Sequence, residues 1–563
     1  MEKRAGINPD PNNRTLIAMS SQRDRQTGEQ EVPSCANPRQ LVEIAVAHAR
    51  EGRSAEAIEQ FRRAIQLDPN YPAAHHNLAV ALAEQGQVAD AITSFTEAIR
   101  IAPDYFEAHL NLANTLAMAN RKAEAIDHYR HALALRPDSA EGLNGLGLTL
   151  TEMRRWDEAV VYLRQAVRLR PDFAEAHNSL GLALNDLAKW REAEAAFENA
   201  LRLKPRYVEA HTNLGSCYAH QGRLTEALAA YDVALWLAPE QVSTHWNRSL
   251  SLLQLGDYEN GWKEYEWRWR RTKSPMRPLP RPMWDGSSLE GNTILIWSEQ
   301  GLGDTVQFSR YVPLVKEKGG TVALECPSPL LKLMARFGGV DQLVPEGQPL
   351  PPFDCHVPLM SLPRLFATRL ESVPAPKSYI TAQADRVERW REAMQSTDGL
   401  KIGLAWQGNP HHQWDRHRSL PLKQLAPLAE LANVRLYSLQ RGPGVEQIAG
   451  VSGKIRIVDL LDPAWTDAEA WAEVAAIMVN LDLVITVDTA TAHVAGALGV
   501  RTWGLLAALC DWRWLQGRED TPWYPAMRLF RQDRLGEWAP VIERVAKEVV
   551  GLRGTSSADW KSE

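Results

Sequence analysis

Prolines 69, 103, 137, 171, 205 and 239 stand 34 residues apart, six times in phase. A fixed period of that length marks a stacked repeat array and constrains the fold more than any other feature of the chain. The same period carries Ala57, Ala91, Ala125, Ala159, Ala193 and Ala227, and a second alanine series from Ala64 to Ala234. It also carries Phe61, Phe95, Tyr129, Leu163, Phe197, Tyr231 and Tyr265. Within YPAAHHNLAVALAEQGQVADAITSFTEAIRIAPD, apolar residues recur at helical spacing on both sides of Gln85-Gly86-Gln87. The alanines let two helices approach, the aromatic residue fills the space between neighbours, and the proline ends the second helix. Each hairpin buries its apolar face only against its neighbours, which predicts a superhelix with a concave face.

A 34-residue helical hairpin of this pattern resembles the tetratricopeptide repeat. Counting from the prolines places seven units over 38–275, the last degenerate because Arg248 and Gly261 replace small or apolar residues. Asn77, Asn111, Asn213 and Asn247 return in phase, with Gly145 and Ser179 completing the series. Asparagine is a poor interior helix residue, so its return needs a reason. One reason is a local or inter-helix hydrogen bond. The other is a ladder of amides gripping the backbone of an extended peptide, which resembles the groove of the repeat-bearing O-GlcNAc transferases and implies a protein or peptide acceptor. The parallel His75, His109, His177, His211 and His245 are expected to pack between helices, since Leu143 takes the same place.

Composition changes beyond the array: 18 of the 20 tryptophans lie at or after Trp236. The net charge of −6 excludes bulk nucleic-acid or acidic-membrane binding as an expectation. No run approaches 18 apolar residues, so no membrane span is expected. The N-terminal residues lack the apolar core of a signal peptide, and the five cysteines form no CxxC pair, which together fit a cytoplasmic setting. Residues 1–37 read as a disordered arm, 276–292 as a stiff proline-rich linker and 554–563 as a disordered tail. Trp262, Trp267, Trp269 and Trp284 are expected to tie the last repeat to the next domain.

From residue 293 the pattern alternates short β-branched runs with helical stretches, which predicts parallel sheets. TILIW (293–297), TVALE, DQLV and CHVPL form one series within 293–384; KIGLAW (401–406), VRLYSL, KIRIVDL, DLVITV, RTWGLL and MRLFRQ form a second within 385–553. Two such units facing across a cleft gather ligand groups at strand C-termini.

Three loops there carry chemistry. Gly301-Leu302-Gly303-Asp304 is an incomplete GxGxxG, with Val306 at the third glycine. Glu325 would suit a dinucleotide ribose, but a carboxylate at a helix N-terminus repels a pyrophosphate. Asp304 is either a general base or a helix cap. The second loop holds Gln407, Gly408 and Asn409, then His411, His412, Arg416, His417 and Arg418, a cationic patch suited to a diphosphate leaving group. The third runs from Asp488, Thr489 and Thr491 to His493, where hydroxyls and helix N–H groups can hold phosphate or sugar. The His and Asp spacing in the second loop matches no common metal site.

GLGDTVQF, the R-S-L-P stretch at 418–421 and DTATAHVAGALG at 488–499 resemble the bacterial heptosyltransferase-type glycosyltransferases. The resemblance implies a GT-B fold of two Rossmann-like domains behind an α-solenoid of tetratricopeptide repeats, α plus α/β overall. It further implies an inverting, metal-independent transfer from a nucleotide-sugar, with no cofactor. In that family the loop aspartate is the base, here Asp304. A basic residue neutralises the donor diphosphate, here Arg418 where the family often has lysine. The D-T-x-x-x-H loop holds the donor, here Asp488, Thr489 and His493. The run CDWRWLQGREDTPWYP (510–525) offers Arg513 and tryptophans for stacking on a sugar or closing the cleft. A rival reading from a different class is a non-catalytic repeat scaffold with a degenerate transferase fold.

Overall fold

The computed structural model describes residues 37–271, 276–395, 399–412, 414–451, 453 and 455–552. The N-terminal arm, apart from its last residue, and the C-terminal tail lie outside them. Contacts divide the chain at Glu240/Gln241 into two compact units.

The first unit is a succession of six helical hairpins, from Pro38–Arg50 with Ser54–Leu67 to Val208–His220 with Leu224–Leu237. Each second helix stops two residues before the periodic proline, which has no N–H to continue the ladder. The large periodic residue of a second helix, a ring or Leu163, packs against a small residue of the first. A Cβ on Gly181 would lie 2.5 Å from Phe197, and one on Gly215 2.5 Å from Tyr231. The histidine series does more than pack: Nε2 of His75, His109, His177 and His211 lies 2.9–3.0 Å from the carbonyl oxygen of Pro69, Pro103, Pro171 and Pro205. Each ring thus satisfies a carbonyl left over where the preceding helix ended.

The seventh hairpin groups with the sheets, so the unit boundary falls at 240/241 rather than at 275/276. Val242–Leu255 pairs with an eight-residue helix, Tyr258–Tyr265, which tightens into a 3-10 turn over Glu266–Arg270. Its apolar face is taken by the sheet unit: Tyr258 stacks on Trp523, and Trp262 meets Phe308 and Trp512 edge-on. Trp269 packs on Trp297 and Trp284 on Phe366, as the aromatic cluster predicts. Trp267 instead stacks on His245 at 3.6 Å. The proline-rich linker is laid along the sheet: the Trp284 N–H donates to the His356 carbonyl at 2.8 Å, and Met276 and Leu279 pack on the cluster of Leu295 and Trp297.

Strands form where the β-branched runs predict them. β1 (Thr293–Trp297), β2 (Thr321–Cys326), β3 (Gln342–Pro345) and β4 (Cys355–Pro358) make a parallel sheet of order β3-β2-β1-β4. β5 (Leu400–Ala405), β6 (Val434–Ser438), β7 (Ile457–Asp459), β8 (Leu483–Val487), β9 (Thr502–Leu506) and β10 (Met527–Arg531) make a second, of order β10-β9-β8-β5-β6-β7. Every pairing in both is parallel. The six-stranded order is that of a doubly wound α/β sheet, whose direction of winding reverses between β5 and β8. In the first sheet it reverses between β1 and β4. The crevices beyond the carboxyl ends at these two points are where such sheets bind ligands.

Candidate functional site

Asp304 is the third residue of helix Leu302–Phe308, which follows β1. Its Oδ2 accepts the Gly301 N–H at 2.8 Å, so it is indeed a cap. Its Oδ1 is also paired with the Arg513 guanidinium, which no cap requires. Gly303 beside it touches the other half of the site: a Cβ there would lie 2.6 Å from Cδ2 of His493. Glycine at 303 is what lets this helix press on helix Ala490–Ala497, so the loops after β1 and β8 meet.

Arg513 is the hub. From the 3-10 turn Trp512–Trp514 it donates to Gln307 Oε1 at 2.6 Å and Asp511 Oδ1 at 2.8 Å, besides holding Asp304. Burial works against its charge, but Asp511 and Asp304 more than compensate and raise its pKa. Burial would likewise raise Asp511, yet Arg513 and the Arg513 backbone N–H hold that carboxyl below its ordinary value. Asp488, at the end of β8, goes the other way: burial and the facing Asp511 carboxylate push it up, against the pull of Arg418. The two carboxyls are thus pushed in opposite directions, Asp488 by burial and a like charge, Asp511 by the Arg513 guanidinium.

His493 hydrogen-bonds the Tyr524 hydroxyl through Nδ1 at 2.8 Å and stacks on Trp514. Burial, then Arg513, lowers its pKa to about 3, so the ring is neutral. Thr489 caps the helix by position but makes no side-chain cap bond, and Thr491 is buried in its first turn. Arg418 ends the short helix Asp415–Arg418, its Nε 3.2 Å from Asp415 Oδ1. Both lie against Gly408, where a Cβ would be 2.5 Å from Asp415 and 2.7 Å from Arg418. The Gly408 N–H donates to Ser419 at 2.9 Å, and Gln440 brackets the Gln407 backbone on both sides. A pocket of about 460 Å³ opens here, bordered by Gln407, Asp415, Arg416 and Gln447.

Arg418 thus lies near enough to lower the pKa of both Asp488 and His493, with Asp304 joined to them through Arg513 and Gly303. Asn409 turns back to the His411 N–H at 3.0 Å, and Arg416 donates to His417. The cationic patch is weaker than its composition suggests. Burial and Arg416 lower His417 to about 4, leaving it neutral, and Arg418 already holds a carboxylate. The tryptophans of 510–525 are not a sugar platform: Trp512, Trp514 and Trp523 are buried in the core. Glu325, 2% exposed and paired with Arg277, is not offered to a ribose. Gln307 leaves no signal in the sequence, because its partner Arg513 lies 206 residues away, and Tyr524 and Asp511 gain their roles only when the loops carrying His493 and Asp304 fold against them.

The asparagine series is not a continuous row of open amides. Asn111 is fully buried and bonded to His76 of the preceding hairpin at 3.1 Å, and His76 also bonds Asn77 at 3.2 Å. Asn213 donates to Asn178 at 3.0 Å but keeps part of its surface open. Asn111 and Asn213 join hairpin to hairpin, which is the inter-helix alternative, whereas Asn77 bonds His76 beside it on its own helix. Asn247 belongs to the sheet unit and is partly buried.

The first unit is a solenoid of tetratricopeptide-like helical hairpins. The family model for the cilia and flagella-associated protein 70 C-terminal domain matches residues 3–248. Protein FlbA of Caulobacter vibrioides is 30% identical over 322 residues, 53% of this chain and 53% of that protein. The chain therefore spans about half the length of that curated relative. Among solved structures, YrrB, a tetratricopeptide-repeat protein, is 23% identical with a TM-score of 0.29, covering 33% of this chain and 96% of its own. A tetratricopeptide-repeat protein from Parabacteroides merdae is 17% identical with a TM-score of 0.38, covering 42% and 93%. Repeat solenoids of this kind are protein-interaction scaffolds. Among the described residues, no group of three or more His, Cys, Asp or Glu is arranged to hold a metal ion, and no helix is long and apolar enough to cross a membrane.

Proposed function

We propose that the sheet unit is a GT-B-type glycosyltransferase and that the repeat array recruits its acceptor, a protein or peptide. The observation that carries the reading is the meeting of Asp304 with Arg513 and of Gly303 with His493, which joins the loops after β1 and β8 at the carboxyl ends of two parallel sheets. The donor nucleotide-sugar takes the β5/β8 crevice, its phosphates meeting Arg418 and the N–H groups opening helix Ala490–Ala497. Asp304 removes the acceptor hydroxyl proton as the acceptor oxygen bonds to the anomeric carbon. The bond from that carbon to the phosphate oxygen breaks, and the nucleotide leaves with the electron pair. Both Asp304 oxygens are engaged, but a carboxylate has about four lone-pair positions, so an acceptor hydroxyl can still bind. Arg418 already holds the Asp415 carboxylate, so donor binding there exchanges one anion for another.

That same closed network is what a non-catalytic scaffold would keep, which makes the scaffold the second reading. Thermal melting against a panel of nucleotides, nucleotide-sugars and NAD(H) separates them, because a ligand of the native state raises the melting temperature. A shift with one nucleotide-sugar, lost in Arg418→Ala, supports transfer. No shift with any of them moves the weight to the scaffold, and a shift with NAD(H) alone to an oxidoreductase.

A further inference from the structure

The loop Ser298–Gly301 delivers Asp304 from β1, and it is held from outside the sheet. Gln300 sits at φ +64°, a left-handed conformation that a non-glycine residue keeps only where its surroundings impose it. Its Nε2 donates to the Tyr265 hydroxyl at 2.8 Å. Next to it, the Glu299 carboxylate receives Nε and Nη2 of Arg268, each at 2.9 Å, in a buried two-pronged pair, and also accepts the Met360 N–H at 3.2 Å. The remaining Arg268 donors reach Glu266 at 2.7 Å, the Tyr265 carbonyl at 3.3 Å and Ser361 Oγ at 2.8 Å. Both anchors come from the seventh hairpin. Tyr265 is the periodic aromatic residue, 34 after Tyr231, but Arg268 stands 34 after Ala234, where every earlier hairpin has alanine. The period breaks at the residue that reaches Glu299. It is there that the helix tightens into the Glu266–Arg270 turn.

We infer that this hairpin, a repeat by sequence, is a positioning element of the transferase site: Tyr265 and Arg268 hold the 298–301 loop and so set where Asp304 stands. The role of Asp304 rests on the proposed transfer; the placement of its loop does not. The test uses the full chain with Tyr265→Phe, which removes only the hydroxyl, and Arg268→Lys, which keeps charge but not the fork. Hydrogen exchange of the peptide covering 298–305, read by mass spectrometry without ligand, should quicken severalfold in Tyr265→Phe and about tenfold or more in Arg268→Lys, in line with losing a hydrogen bond or a charged pair. Strands β1 and β2 and the melting temperature should change little in Tyr265→Phe. With the nucleotide-sugar that stabilises the wild type, nucleotide release should lose kcat about tenfold or more while KM for the donor stays put, since small misplacement of a reacting group is costly. Unchanged exchange over 298–305 in both variants overturns the inference, as does a rate loss explained wholly by donor KM. If the wild type releases no nucleotide, the transfer reading falls, and the exchange result still decides the positioning.

Discussion

At the scale of single residues, the site is a set of charges that hold one another in place. Asp304→Asn can keep the cap through its amide oxygen but loses the ion pair with Arg513 and cannot take a proton; nucleotide-sugar stabilisation should persist while transfer falls by a factor of about 10² or more, read from product formation. Transfer at the wild-type rate would leave Asp304 as a cap and nothing else. His493 carries a pH signature. Its folded pKa of about 3 lies below the unfolded value of 6.5, so between those values the unfolded chain binds a proton that the folded chain refuses. Stability should therefore fall as pH drops below 6.5, by up to about 1.4 kcal/mol per pH unit from this group. Urea unfolding at pH 7 and 5.5 should show a smaller drop for His493→Asn than for the wild type. Asn111 is a residue whose two readings now separate: Asn111→Ala leaves buried His76 without that partner and should cost about 1–3 kcal/mol of array stability.

At the scale of elements, the repeats and the strands obey their sequence patterns closely, and the exceptions are informative. In the later hairpins the large residue of the second helix rests on a glycine of the first: Leu163 on Gly147, Phe197 on Gly181 and Tyr231 on Gly215. Gly181→Ala should overpack against Phe197 and cost about 1–3 kcal/mol, measured as a lower melting temperature of the array. A neutral result would mean that Phe197 swings aside to admit the methyl group. Gly303 answers to a different demand, the approach of two helices that follow strands of different sheets. Periodicity along one element says nothing of such a contact. The seventh hairpin kept its aromatic period but lost its alanine, and with it its allegiance to the array.

At the scale of the molecule, two compact units meet at Glu240/Gln241 in sequence, and their stabilities should be separable. Calorimetry should resolve two transitions. A bound nucleotide-sugar should raise only that of the sheet unit, and Gly181→Ala should lower only that of the array. A single transition moved equally by both would show the units to be thermodynamically one. Arg418→Ala should likewise abolish nucleotide stabilisation without weakening capture of a protein partner by the repeats.

The sequence by itself determined the array, its 34-residue hairpins, the ten strands and the three loops at their ends, because these arise from short-range sterics: proline ending a helix, β-branched runs extending, small residues admitting rings. It also singled out Asp304, Arg418, Asp488 and His493. Only the tertiary structure decided that Arg513 and Asp511 complete the site, that the asparagines at 111 and 213 bond the preceding hairpin, and that the last repeat belongs to the sheets. Those outcomes depend on which distant groups share a desolvated space. There a charge must find its partner at close range, and separation along the chain carries no trace of who that partner will be.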